Sequence, residues 1–228
     1  MPRFLERNLQ MDYEFFTKTA LFQGASKDEI SAMLRCLNAR TKNFSKGEYI
    51  LRTGETADCV GLVLAGSVTI ENDDIWGNRS ILIHIGTGEI FAETYACIPG
   101  ERLMINAIAN EDTKILFLNI SQILQTCPRS CAHHTTMIRN LLQISAQKNL
   151  ALSRRILHTS SKSIRGRLLS YFSQQILQTG SRKFTIPFNR QQLADYLNVD
   201  RSALSSELSK MQKEGILTYK KNQFSLNE

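Results

Sequence analysis

The chain has 228 residues, of which 42% are hydrophobic, and a formal net charge of +7. That length gives room for one large or two smaller domains, each with its own core. No apolar run approaches the roughly 18 residues that a membrane-spanning helix needs, and no membrane partner is expected.

The N-terminal stretch MPRFLERNLQMDYEFF lacks the apolar core of a signal peptide, so export is not expected and the cytoplasm is the expected location. The five cysteines, Cys36, Cys59, Cys97, Cys127 and Cys131, are an odd number without an export signal and read as reduced thiols. Charge is unevenly spread. Residues 1–130 hold 13 Lys and Arg against 16 Asp and Glu, whereas residues 131–228 hold 15 against 5. A basic C-terminal part on a mildly acidic N-terminal part points to a polyanion-binding module joined to something else.

In chain order, residues 12–38 read as helical, with Ser26 and Glu29 spaced as a capping box. From Phe44 the period changes. FSKGEYILRTGE, CVGLVLAGSVTIEN, RSILIHIGTGEIF, LMINAIAN and TKILFLN are short apolar or β-branched runs separated by Gly, Asn and Asp. They predict a closed roll or sandwich of short antiparallel strands over about residues 40–120. SQILQT predicts a short helix, and Pro128 fits the first turn of a long one. Along that helix Ile138, Leu142, Ser145, Asn149, Leu152 and Ile156 alternate spacings of four and three, a seam of the coiled-coil kind with two polar members. The seam predicts a homodimer; packing of the helix on its own roll is the other reading. HTSSKS at 158–163 breaks the period, and a hinge is placed there. A further helix over about 163–179 ends at Gly180.

The last segment, FNRQQLADYLNVDRSALSSELSKMQKEGILTYKKNQFSLNE, carries most information. Gln191–Leu197 predicts a short helix, Asn198 and Val199 a tight turn, and Asp200 the cap of a second helix reaching about Glu214. A hairpin follows, with Lys220, Lys221 and Asn222 at its tip. Helix, turn, helix and basic hairpin make a winged helix-turn-helix. In that reading Arg201 lies at the N-terminus of the recognition helix, where a guanidinium reads guanine or clamps a phosphate. Ser202, Ser205 and Ser206 share its outward face, while Arg190, Gln191, Lys210, Lys220 and Lys221 hold the DNA backbone. A helical hairpin used for protein contacts is the competing reading.

In this order of parts the chain resembles the cyclic-AMP receptor protein / fumarate–nitrate regulator family of bacterial transcription factors, through GEYILRTGE, GLVLAGSVTI, GEIFAE and QQLADYLNVDRSALSSELSKM. The resemblance implies an α+β fold: a cyclic-nucleotide-binding-like β-roll over residues 1–127, a dimerisation helix over 128–158 and a winged helix-turn-helix over 159–228. It implies a dimeric transcriptional regulator bound to double-stranded DNA at an inverted-repeat operator, with RNA polymerase as a further partner. Arg201 and Ser205 match residues that the family uses, whereas Ser206 stands where members often carry Arg, so the preferred DNA sequence is expected to differ.

The family's nucleotide pocket maps onto Glu93, Tyr95, Cys97, Arg102, Leu103 and Met104. Glu93 matches the ribose-binding Glu, and Ala92 replaces the Gly before it. Leu103 falls where the phosphate-binding Arg is expected, and Met104 replaces the neighbouring Ser. Arg102 is one residue early, which in a strand turns it to the other face unless a bulge at PGER restores it. A buried phosphate without a cation is strongly disfavoured. Cyclic AMP is therefore not the expected effector; another effector, or no ligand with Leu103 and Met104 filling the core, are the readings kept. No cofactor is identified.

Cys127, Cys131 and His134 lie close enough in sequence to form a metal or redox site, although their spacing matches no structural zinc motif. No phosphate-binding loop, dinucleotide fingerprint or nucleophile elbow occurs, so enzyme activity is not expected. A regulatory module that works through protein contacts alone is the alternative to a DNA-binding regulator.

Overall fold

The computed structural model describes residues 12–37, 39–73, 79–124 and 132–227. Two compact units divide the chain, Met1–Ala146 and Gln147–Glu228.

The first unit opens with α1 (Tyr13–Thr17), a 3-10 turn at Ala20–Phe22 and α2 (Lys27–Cys36). The Ser26–Glu29 capping box starts α2: the Ser26 hydroxyl accepts from the Glu29 amide, and the Glu29 carboxylate accepts from the Ser26 amide. Strands follow as β1 (Arg40–Phe44), β2 (Tyr49–Leu51), β3 (Cys59–Ala65), β4 (Val68–Asp73), β5 (Arg79–Ile85) and β6 (Ile90–Phe91). After the short α3 (Glu93–Ala96) come β7 (Asn106–Ala109), β8 (Thr113–Asn119) and α4 (Ile120–Leu124). The long α5 (Ala132–Thr159) begins in this unit and runs past its end.

Two four-stranded sheets form the roll, in the orders β1-β8-β3-β6 and β2-β7-β4-β5, and every strand pair is antiparallel. Between them lies a core of Phe44, Val63, Val68, Ile85, Phe91, Ala107, Ala109 and Ile115. The first sheet is covered on its other face too. Val60, Leu62, Leu116 and Leu118 meet Phe16, Phe22, Ile30, Ile123, Met137 and Leu141 from the helices. Burial on both faces is why CVGLVLA and TKILFLN read as continuous apolar runs rather than alternating ones. Asn140 fixes the first turns of α5 to this unit, its Nδ2 donating to the carbonyls of Leu21 (3.0 Å) and Gln23 (2.9 Å).

The second unit takes up the rest of α5 and continues with α6 (Ile164–Thr179), capped by Ser163 and ended by Gly180 in the left-handed conformation. Then come β9 (Lys183–Thr185), α7 (Arg190–Leu197), α8 (Arg201–Lys213), β10 (Leu217–Lys220) and β11 (Gln223–Leu226). The three strands pair in the order β10-β11-β9. Leu168, Phe172, Leu193, Leu197, Leu204, Leu208, Met211 and Phe224 form the core.

Candidate nucleic-acid interface and roll pocket

The second helix pair is set by its caps. Asn189 and Gln192 form a capping box on α7. The helix ends where Asn198 turns left-handed at φ 53°, and the Val199 amide donates to the Ala194 carbonyl at 3.0 Å. Asp200 then starts α8, its carboxylate accepting from the Ala203 amide at 2.9 Å and from the Ser202 hydroxyl. Those bonds hold the carboxyl of Asp200 below the usual carboxylate range, so it stays ionised at the positive end of α8. Ala194 is fully buried in the core shared by α7 and α8, and as a small residue it permits a close crossing.

Arg201, Ser202, Ser206 and Lys210 are exposed on α8, and Ser205 is half-buried. The Ser205 hydroxyl donates to the Arg201 carbonyl at 2.9 Å. The Arg201 guanidinium has no hydrogen-bond or ion-pair partner among the described residues. The wing turns at Lys221, whose φ is 57°, and Asn222, and the side chains of Lys220 and Lys221 are exposed. Gln191 is exposed, and its amide donates to the Asp195 carboxylate at 2.8 Å.

Arg190 is placed differently from its neighbours. It is half-buried, its guanidinium lying 5.0 Å from the Tyr219 ring centroid and 5.8 Å from that of Phe224, with Nη2 donating to the Lys221 carbonyl at 3.4 Å. It joins the start of α7 to the wing. Arg165 performs a similar service between α6 and α8, bonding the carboxylates of Glu207 (2.6 Å) and Glu214 (2.7 Å).

In the roll, Ala92 precedes α3 with φ 63°, a left-handed backbone that costs an alanine about 1 kcal/mol more than a glycine. Glu93 is buried, Tyr95 half-buried and Cys97 exposed. Partial desolvation and the nearby Glu93 carboxylate push the Cys97 thiol up. Arg102 is exposed, and its guanidinium donates to the Gly54 carbonyl at 2.8 Å. Leu103 is only 1% exposed, whereas Met104 is 65% exposed. The register is pinned from both sides: Leu103 N–H donates to the Glu55 carbonyl, and Gly54 N–H to the Leu103 carbonyl, each at 2.8 Å. The Tyr95 hydroxyl accepts from the Met104 amide at 3.4 Å. Of the residues aligned with the pocket, a carboxylate (Glu93) and an aliphatic side chain (Leu103) are thus buried, whereas the Arg102 guanidinium is exposed.

Two family profiles match in order along the chain. The profile described as a cyclic nucleotide-binding domain covers residues 41–130, and the profile described as a Crp-like helix-turn-helix domain covers residues 166–227. The chain belongs to the CRP/FNR family. Among its relatives, the cyclic AMP receptor protein of Thermus thermophilus is 31% identical over 98 residues, 43% of this chain and 44% of that protein. The human cyclic nucleotide-gated channel beta-1 is 27% identical over 131 residues, 55% of this chain and 10% of the channel. The chain thus spans less than half of the length of either relative. The solved structure of an OCPA-complexed cysteine-to-serine variant of CprK is 20% identical and aligns with a TM-score of 0.64 over 85% of this chain and 88% of that one, a likeness of fold.

The long helix of this CRP/FNR member splits its seam residues. Ile138 is half-buried against the first unit's core. Leu142, Leu152 and Ile156 are exposed (69%, 61% and 67%), Asn149 is exposed and Ser145 is half-buried. The grouping of Cys127, Cys131 and His134 falls outside the described residues and side chains. Of the remaining thiols, Cys59 is pushed up to about 11 by burial and by the adjoining Asp58, which keeps it protonated and a poor nucleophile. Among the described residues no helix is long and apolar enough to cross a membrane, and no cluster of His, Cys, Asp and Glu could hold a metal ion. Sequence reasoning missed Arg155, Arg165, Arg167 and Tyr196. Each works through a specific partner distant in sequence, and no local spacing announces such pairs.

Proposed function

We propose that the protein is a homodimeric, sequence-specific DNA-binding transcriptional regulator, switched through its roll by an effector other than cyclic AMP. The observation that carries this reading is the outward face of α8. Arg201, Ser202 and Ser206 stand exposed at the start of a helix whose opposite face is core, with the Lys220–Lys221 wing tip following in the same unit. That arrangement supplies groove-reading donors and phosphate clamps on the basic part of the chain.

Leu142, Leu152 and Ile156 are exposed apolar residues on one helix, and a second copy of the helix is the partner that their seam spacing fits. Two-fold symmetry then gives an inverted-repeat operator with half-site centres about 34 Å, or a multiple, apart. The division of labour is a roll over 1–127, a dimer helix over 128–158 and a DNA-binding domain over 159–228, acting in the cytoplasm with RNA polymerase as a further partner.

Selection of duplexes from a random pool, followed by fluorescence anisotropy across a salt series, tests the reading. Enrichment of an inverted repeat whose affinity falls steeply with salt is expected. Recovery of no preferred duplex, or a monomer at micromolar concentration in sedimentation, would sink it.

A further inference from the structure

An α-helix leaves its last carbonyls without intrahelical partners. At the end of α7, four successive carbonyls accept hydrogen bonds from two guanidinium groups. Arg155 donates from Nη2 to Asp195 (3.0 Å) and from Nε to Tyr196 (3.2 Å). Arg167 donates from Nη1 to Leu197 (3.0 Å) and Asn198 (2.8 Å), and its Nε is anchored on the Ser161 carbonyl (2.8 Å). The two arginines come from different elements, Arg155 from the last turns of α5 and Arg167 from the first turn of α6. His158, one turn beyond Arg155, meets the Tyr196 hydroxyl at 2.9 Å. The last turns of α5 therefore grip the first helix of the helix-turn-helix directly, and do so within the second unit.

We propose that Arg155 is a positioning residue for DNA recognition: it couples the long helix to α7, so that displacement of α5 reaches the recognition helix through this clamp and not through the linker at 160–163. The inference rests on the reading of α8 as a DNA-recognition helix. A guanidinium suits the task because its planar fork supplies two directed donors, and because a cation at a helix C-terminus opposes the negative end of the helix dipole. A lysine provides the charge without the fork. Recognition tolerates only small misplacements of the contacting side chains, so a loosened α7 carries α8 out of register with the groove.

The test uses the full chain and its selected operator. Arg155→Ala, Arg155→Lys, the exposed charge control Arg154→Ala and the linker-loosening Ser160→Gly are compared by operator affinity and by amide hydrogen exchange. The amides of Asn198 and Val199, which bond back onto Asp195 and Ala194, report on the clamped turn. Arg155→Ala is expected to weaken operator binding by about tenfold. It should also speed exchange at Asn198 and Val199 while leaving the amides of Leu204 and Leu208 in α8 unchanged. Arg155→Lys should restore part of both effects. Arg154→Ala and Ser160→Gly should stay close to the parent. Parent-like binding by Arg155→Ala overturns the proposal. So does an equal loss in Ser160→Gly, or acceleration spread evenly over α8, which marks general destabilisation. If the parent selects no duplex, the DNA reading fails, and the exchange pattern still decides whether Arg155 holds α7.

Discussion

Nδ1 of His158 and the hydroxyl of Tyr196 lie 2.9 Å apart, joining the last turn of the long helix to the first helix of the DNA-binding motif. The imidazole is buried and meets the Tyr171 ring edge-on, centroids 5.4 Å apart at 87°. Burial is the main force on its titration and disfavours the imidazolium. The bond to Gln174 works the other way, and the nearby Arg154 adds repulsion; the net result lies below the ordinary value of 6.5. Between the two values the unfolded chain therefore binds more protons than the folded one, so stability rises with pH in that window. The contribution of neutral His158 is complete above pH 6.5 and is lost as the pH falls through the folded value. Thermal melts at pH 7.5 and 5.5 should show a drop for the parent that is smaller for His158→Gln, whose side chain stays neutral throughout. Equal drops in both would remove His158 as the cause.

Gly61 is the position at which the inner face of β3 lets a ring through. A Cβ added there would run into the Phe91 ring, which is itself 2% exposed in the inter-sheet core. Because packed interiors give way only by shifting backbone or leaving rotamers, Gly61→Ala is expected to cost about 1–3 kcal/mol. In urea denaturation, pairing it with Phe91→Leu should cost less than the two single losses added together, since each change makes room for the other. Strict additivity would mean that the ring and the new methyl do not meet.

The elements that carry a local pattern were the legible ones. The apolar runs of β3 and β8, the Ser26 cap, the Asp200 cap and the lysines of the wing all stand in the sequence as local patterns. Two strands escaped that reading. Strand β1, RTKNF, buries only Phe44 fully and lies at a sheet edge, so it has no apolar period, and β9 is three residues long with only Phe184 buried. The clamp on α7 was invisible for another reason: Arg155 and Arg167 bond backbone carbonyls, and a carbonyl has no signature in sequence. Arg190 was legible as a basic residue beside the motif, but its contact with Tyr219 depends on wing pairing that only the tertiary fold sets.

On DNA, the exposed cations should divide by what they touch. Arg201→Ala is expected to cost about 1–3 kcal/mol on the selected operator and to relax preference at one position of each half-site. Lys220→Ala and Lys221→Ala should weaken all duplexes alike, and each should reduce the slope of log affinity against log salt by about 1. Anisotropy with the operator and a scrambled duplex separates the two behaviours. If all three variants bind like the parent, the assigned recognition face is wrong.

Calorimetric titration of the reduced protein with cyclic AMP bears on the roll. A cyclic phosphate needs a cation or convergent N–H donors where it is buried. Leu103, which stands where the resemblance expects the phosphate-binding Arg, is 1% exposed, and Arg102 donates to the Gly54 carbonyl, beside the paired backbone bonds between Leu103 and residues 54–55. Bringing Arg102 inward would require breaking those bonds and expelling Leu103 from the core. No saturable heat is therefore expected at millimolar cyclic AMP, for the parent or for Arg102→Ala. Micromolar binding by the parent that Arg102→Ala abolishes would show that the strand shifts its register by one residue to deliver the guanidinium, and that the pocket is a phosphate site after all.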